Sequence, residues 1–172
     1  MANTYTKLGS YMVPLGSGGT GLGFSSIPQT YNTLVVHVSV RSVYSGGYDS
    51  LGMYLNGVQT TLSNNFMNGT GSGAPTSSRS TYRALATINS AFNNPNMFTA
   101  VTITIPNYTS STFKQIMVES FEEGQQTAGY SVVASELWSN TAAINSITFD
   151  TATSGANLAS YSTFTLYGIK TS

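Results

Sequence analysis

Thr33-Leu34-Val35-Val36-His37-Val38-Ser39-Val40-Arg41 decides the fold class. In an extended chain successive side chains point to opposite faces, so residues two apart share one. Leu34, Val36, Val38 and Val40 fall on one side, and His37, Ser39 and Arg41 on the other, with Val35 the exception. That alternation describes a half-buried strand. Thr99-Ala100-Val101-Thr102-Ile103-Thr104-Ile105 repeats it, and Pro106, which has no N–H for a ladder, ends it. Near the C-terminus Phe164 and Leu166 take one face and Thr163, Thr165 and Tyr167 the other.

The same reading predicts strands over Tyr5–Val13, Gly21–Ser26, Leu51–Asn56, Val58–Leu62, Ser80–Ile88, Phe113–Phe121, Tyr130–Trp138 and Ile144–Asp150. Asn56-Gly57 tolerates two positive φ angles and predicts a tight hairpin turn. Helical apolar stripes are missing; a single turn near Ser90–Asn94 is the most to expect. Gly16 to Gly21 reads as a connector, and Asn64 to Ser78, polar and rich in Gly and Ser, as a long loop carrying Phe66 and Met67. Many strands separated by turn signals in 172 residues predict an all-β chain. The expected form is one domain over 1–172, a two-sheet antiparallel sandwich of jelly-roll type, with a short N-terminal arm over about residues 1–7.

Charge narrows the function. Asp, Glu, Lys and Arg make up 7% of the chain, where about 25% is usual. Six basic residues balance six acidic ones. No basic stripe invites nucleic acid, and near-zero net charge favours self-association. No apolar run is long enough for a membrane helix. The opening residues lack the basic head and apolar stretch of a secretory leader, so synthesis in a cytoplasm is expected. Cysteine is absent, which removes disulfide and thiolate chemistry.

Few residues offer catalysis. His37 is the one histidine, and a nucleophilic site would need it with Ser39 or Asp49, yet neither a nucleophile elbow nor an oxyanion loop accompanies them. Glu119 with Glu136 could pair as glycosidase carboxylates only from facing strands. Glu122 and Glu123 read as solvated residues at a strand end before Gly124. No spaced Asp-x-Asp-x-Asp-Gly loop supports calcium. The expectation is no enzyme, no metal and no cofactor. Eleven tyrosines are a better clue, because Tyr is enriched at interfaces. Tyr44-Ser45-Gly46-Gly47-Tyr48-Asp49 sets two of them on a glycine-rich loop suited to a sugar or a protein. The plainer alternative buries the rings at sheet edges and leaves the hydroxyls wet. The candidate interface residues are Asn3, Tyr5, Tyr44, Tyr48, Phe66 and Met67. A carbohydrate reading adds Trp138 as a stacking ring.

Two end segments resemble a known group. Met1-Ala2-Asn3-Thr4-Tyr5-Thr6-Lys7-Leu8 leads into Phe24-Ser25-Ser26-Ile27-Pro28-Gln29-Thr30-Tyr31-Asn32-Thr33-Leu34-Val35-Val36, and the chain closes on Phe164-Thr165-Leu166-Tyr167-Gly168-Ile169-Lys170. This combination resembles small β-sandwich virion proteins of tailed bacteriophages, especially those infecting cyanobacteria, and among them the capsid cement or decoration proteins. The resemblance covers about the first third and the last strand. It implies a virion location after synthesis in the host cytoplasm, a major capsid protein as partner, and association as a homotrimer. The alternative it leaves is a carbohydrate- or receptor-binding module of a tail or fibre. Ile27-Pro28-Gln29-Thr30-Tyr31 is a turn in its own right, and Gly168 permits a close backbone approach.

Overall fold

The computed structural model describes residues 4–16, 21–58, 62–71, 73–80, 84–123, 129–152 and 154–170. They form β1 (Thr4–Met12), β2 (Leu22–Phe24), β3 (Thr33–Val40), β4 (Asp49–Leu55), β5 (Leu62–Gly69), β6 (Thr76–Ser80), β7 (Ala84–Ile88), β8 (Thr99–Pro106), β9 (Lys114–Glu122), β10 (Tyr130–Trp138), β11 (Ile147–Thr151) and β12 (Thr163–Lys170). One sheet has eight strands in the order β1-β12-β3-β8-β9-β10-β5-β6; the other has four, β2-β11-β4-β7. Every paired strand is antiparallel.

The pairing explains the shape. β1 pairs with β12, β2 with β11, β3 with β8 and β4 with β7. That is one long hairpin, four strands to each arm. Rolling it up brings β12 against β3 and β11 against β4. The result is the jelly roll that the alternation predicts. Two further hairpins, β5–β6 and β9–β10, extend the larger sheet beyond β8.

The alternation also locates the core. Leu34, Val36, Val38 and Val40 of β3 are buried with Val101, Ile103 and Ile105 of β8 and Phe164 and Leu166 of β12. They meet Leu51, Met53, Leu55, Ile147 and Phe149 of the smaller sheet. Phe149 and Phe164 stack between the sheets with centroids 5.0 Å apart. Full burial of such a side chain stabilises by roughly 1.5–3 kcal/mol.

Three expectations need correction. Residues 64–78 are not a long loop: β5 and β6 pair from Asn64↔Ser80 to Asn68↔Thr76, and β5 lies on β10 along its other edge. Polar side chains do not prevent strand formation once a neighbouring strand supplies the ladder. Val58 makes only an isolated bridge to Leu55 instead of opening a strand, while 59–61 lie outside the described residues. Asn56 (φ 52°) and Gly57 (φ 73°) do adopt the tight turn. The hairpin cannot continue because β4 already has β11 on one edge and β7 on the other. Finally, Thr4–Lys7 of the expected arm are already paired with β12.

Gly168 answers to a close approach. A Cβ there would stand 2.5 Å from the Tyr31 ring, so the terminal strand can carry only glycine under that tyrosine. Gly168→Ala is therefore expected to cost about 1–3 kcal/mol through overpacking. Gly69→Ala, whose Cβ would meet nothing within 4 Å, is the control. Urea denaturation of both variants checks this; equal midpoints would refute it.

Candidate functional site

The outward side chains of the eight-stranded sheet form registered rows. One runs Ser10, Thr165, His37, Thr102, Glu119, Val133, Met67, Ser77 from β1 to β6. A second runs Lys7, Tyr167, Val35, Thr104, Met117, Ser135, Asn65, Arg79. A third runs Met12, Thr163, Ser39, Ala100, Phe121, Ser131, Gly69. Ionisable side chains are sparse here: Lys7 and Arg79 at the rims, His37 and Glu119 near the middle.

Apolar side chains gather on β9, β10 and β5. Phe121 is 61% exposed, Met67 59%, Met117 57% and Val133 50%. They follow from the same parity that fills the core. Lys114, Ile116, Val118, Ser120 and Glu122 of β9 point inward, so Gln115, Met117, Glu119 and Phe121 must point outward. Met67, Met117, Glu119 and Val133 line a shallow depression of about 310 Å³. Contiguous apolar surface of this kind marks an interaction site in a soluble protein. Toward β1, Tyr167 meets Tyr5 edge-on at 6.2 Å and His37 at 5.6 Å. The Thr102 hydroxyl lies 3.4 Å from His37 Nδ1.

The sequence-predicted interface residues divide. Tyr5 and Met67 are exposed on this face. Phe66, next to Met67 on β5, turns the other way and packs on the core. Tyr48 is half-buried, its ring edge-on to Tyr130 at 4.6 Å. Tyr44 is exposed but stands apart on the loop before β4, where its ring covers Gly46. Asn3 lies outside the described residues. Trp138 is fully buried, with the Lys114 amine 5.4 Å from its ring, and offers no sugar platform.

The catalytic constellations do not assemble. His37 and Ser39 face outward, while Asp49 is buried in the smaller sheet and accepts from the Ser154 hydroxyl at 2.6 Å. Glu119 and Glu136 lie on opposite faces of their sheet. Among the described residues no three of His, Asp and Glu group as metal ligands.

Two carboxyls correct the picture of solvated acids. Glu122 is 4% exposed and Glu136 1% exposed, both on the inner face of the β9–β10 hairpin. Burial pushes Glu136 up to about 8, partly offset by a hydrogen bond with the Asn64 side chain. Burial also pushes Glu122 up to about 7, opposed by the Tyr130 backbone and reinforced by Glu123. Buried Lys114 and half-buried Arg41 serve other groups. Lys114 donates to the carbonyls of Ser110, Thr112 and Ala142 at 2.7, 2.8 and 2.6 Å. Arg41 donates to those of Asn93, Asn94 and Met97 at 2.9, 2.7 and 3.1 Å.

Comparison with protein-family models, with curated proteins and with solved structures finds no match. The site is therefore argued from its own geometry.

The raised carboxyls dictate a pH dependence. Unfolded, each loses its proton near the ordinary value of 4.5; folded, it keeps it to about 7 or 8. Stability is thus full below about pH 4.5 and falls as pH rises, levelling off above about 8. The slope from Glu136 alone is up to about 1.4 kcal/mol per pH unit within that window. Glu136→Gln is expected to leave the melting temperature at pH 5 almost unchanged and to raise it by several degrees at pH 9. Melting curves across that range decide it; parallel profiles for the two proteins would refute the assignment.

Proposed function

We propose that this protein is a structural part of a bacteriophage virion, a decoration protein that binds across major capsid subunits and stabilises the head. The observation that carries the reading is the broad outer face of the larger sheet. It is sparse in charge and studded with exposed Phe121, Met117, Met67 and Val133, and among the described residues no group of three His, Asp or Glu gathers. A face of that kind loses little on desolvation and gains by being covered. The end-segment resemblance to capsid cement proteins supplies the setting, and self-association on a repeating shell raises affinity through multivalency. The protein acts by contact, without catalysis or a cofactor.

The carbohydrate reading has less to stand on. Of its three rings, Trp138 is buried and Tyr48 is half-buried against Tyr130, which leaves Tyr44. The two readings part in one experiment. Purified protein mixed with heads that lack it is expected to co-sediment, and host polysaccharide is expected neither to compete nor to change tyrosine emission. Failure to sediment with heads, or displacement by polysaccharide, would overturn the decoration role.

A further inference from the structure

The outer face is complementary to itself. β8 lies at its middle, and its outward side chains, Ala100, Thr102 and Thr104, are small. A two-fold axis laid along β8 would set each outward residue of β9 over the same row of β3 in a second copy, each of β10 over β12, and each of β5 over β1. Glu119 then opposes His37, because the two flank Thr102 in one row, one strand to either side. Large opposes small elsewhere: Phe121 meets Ser39, Met67 meets Ser10, and Tyr167 meets Ser135. Lys7 falls on Asn65, and Arg79, on the outermost strand, projects past the pair. No like charges meet.

We infer that a second copy of this chain docks face to face on the larger sheet, about a two-fold axis along β8, joined by two symmetric Glu119–His37 contacts. The inference rests on the reading that this face is covered in an assembly; it assigns the cover to a second copy, so that the shell would be met by the remaining surface of the pair. A pair of this kind is isologous and closes on itself.

The geometry tolerates real sheets. Facing sheets sit about 10 Å apart, a gap that a glutamate and a histidine together span. The Thr102 hydroxyl stands at Nδ1, which leaves Nε2 as the outward nitrogen of His37. Twisted sheets pack rotated by about 30°. Residues one strand from the axis, about 5 Å, then shift by only roughly 2–3 Å, so the contacts of β9 with β3 are kept, while those of β5 with β1 move by about one row. The paired rows cover roughly 30 by 20 Å, about 600 Å² in plan, the lower end of what each partner of a stable complex buries. The association would be two-fold where the resemblance implies a trimer.

Light scattering on the whole chain tests it without any capsid. At about 100 μM the protein is expected to have the mass of two chains. His37→Glu sets Glu against Glu twice and is expected to weaken pairing at least about tenfold. Adding Glu119→Lys sets Lys against Glu across the axis and is expected to recover most of that loss. Both positions are exposed, so neither substitution disturbs the core. A wild-type mass of one chain or of three would overturn the inference. So would a double variant that pairs no better than His37→Glu alone. Dimers that fail to bind heads would uphold this pairing and sink the capsid role instead.

Discussion

Burial of one face of an eight-stranded sheet against a sheet half its width is the constraint on which this molecule rests. On β12, β3 and β8 the side chains facing the smaller sheet are almost wholly apolar, and β7 of that sheet reaches on over β9 and β10. Beyond β8 the larger sheet runs on, and there the inner face changes character. Lys114, Ser120, Glu122, Glu136 and Asn64 are all buried on β9, β10 and β5. A buried ion is costly without partners. Lys114 meets that cost with three carbonyls, and the two glutamates meet it by staying protonated near neutrality. The extension is accordingly the part of the sandwich that holds the two carboxyls with raised pKa values, whereas the core of the rolled hairpin is mainly apolar.

The same parity links the interior to the candidate interface. A strand cannot bury Ile116 and Val118 without presenting Met117, Glu119 and Phe121. The outer face is thus not an accident of surface composition but the complement of the core. Because β8 presents Ala100, Thr102, Thr104 and Pro106 there, the face is low along its centre and raised toward β9, β10 and β5. That relief, more than any one side chain, is what the proposed pairing would use.

Much of this was legible in the sequence, and the gaps have physical causes. β10 lies at Tyr130–Trp138, as the alternation predicts, β3 and β8 fall within a residue of their expected spans, and β12 runs three residues past the Thr163–Tyr167 alternation. These strands alternate cleanly because one face is apolar. β5 was hidden because Asn64 and Asn68 point inward with Phe66, so neither face reads as a core face. Its strand character comes from β10, a partner distant in sequence. Glu122 was misread from its neighbours Glu123 and Gly124, although its parity with Ile116 and Val118 already marks it as inward. Tyr48 and Trp138 show the converse limit: an aromatic residue says that contact area is needed, not whether the protein or a partner supplies the other side. Met117, Phe121 and Val133 could have been found by carrying the parity of β9 and β10 to the outer face.

The edges of the larger sheet explain why association would use a face and not strand addition. An exposed strand edge is a ready template for another chain, and proteins blunt it with charge, brevity, proline or a bulge. β1 has Lys7 on its outward side and a register shift between Lys7 and Gly9. β6 is five residues long, follows Pro75 directly and contains Arg79. Two of the chain's six basic residues thus stand on the outermost strands, in the row where lateral pairing would begin. Between them the face carries hydroxyls, methionines and a phenylalanine, with His37 and Glu119 near its middle. Charge this scarce acts most where it is placed: Lys7 and Arg79 guard the edges, and Glu119 stands where the proposed pairing would meet it.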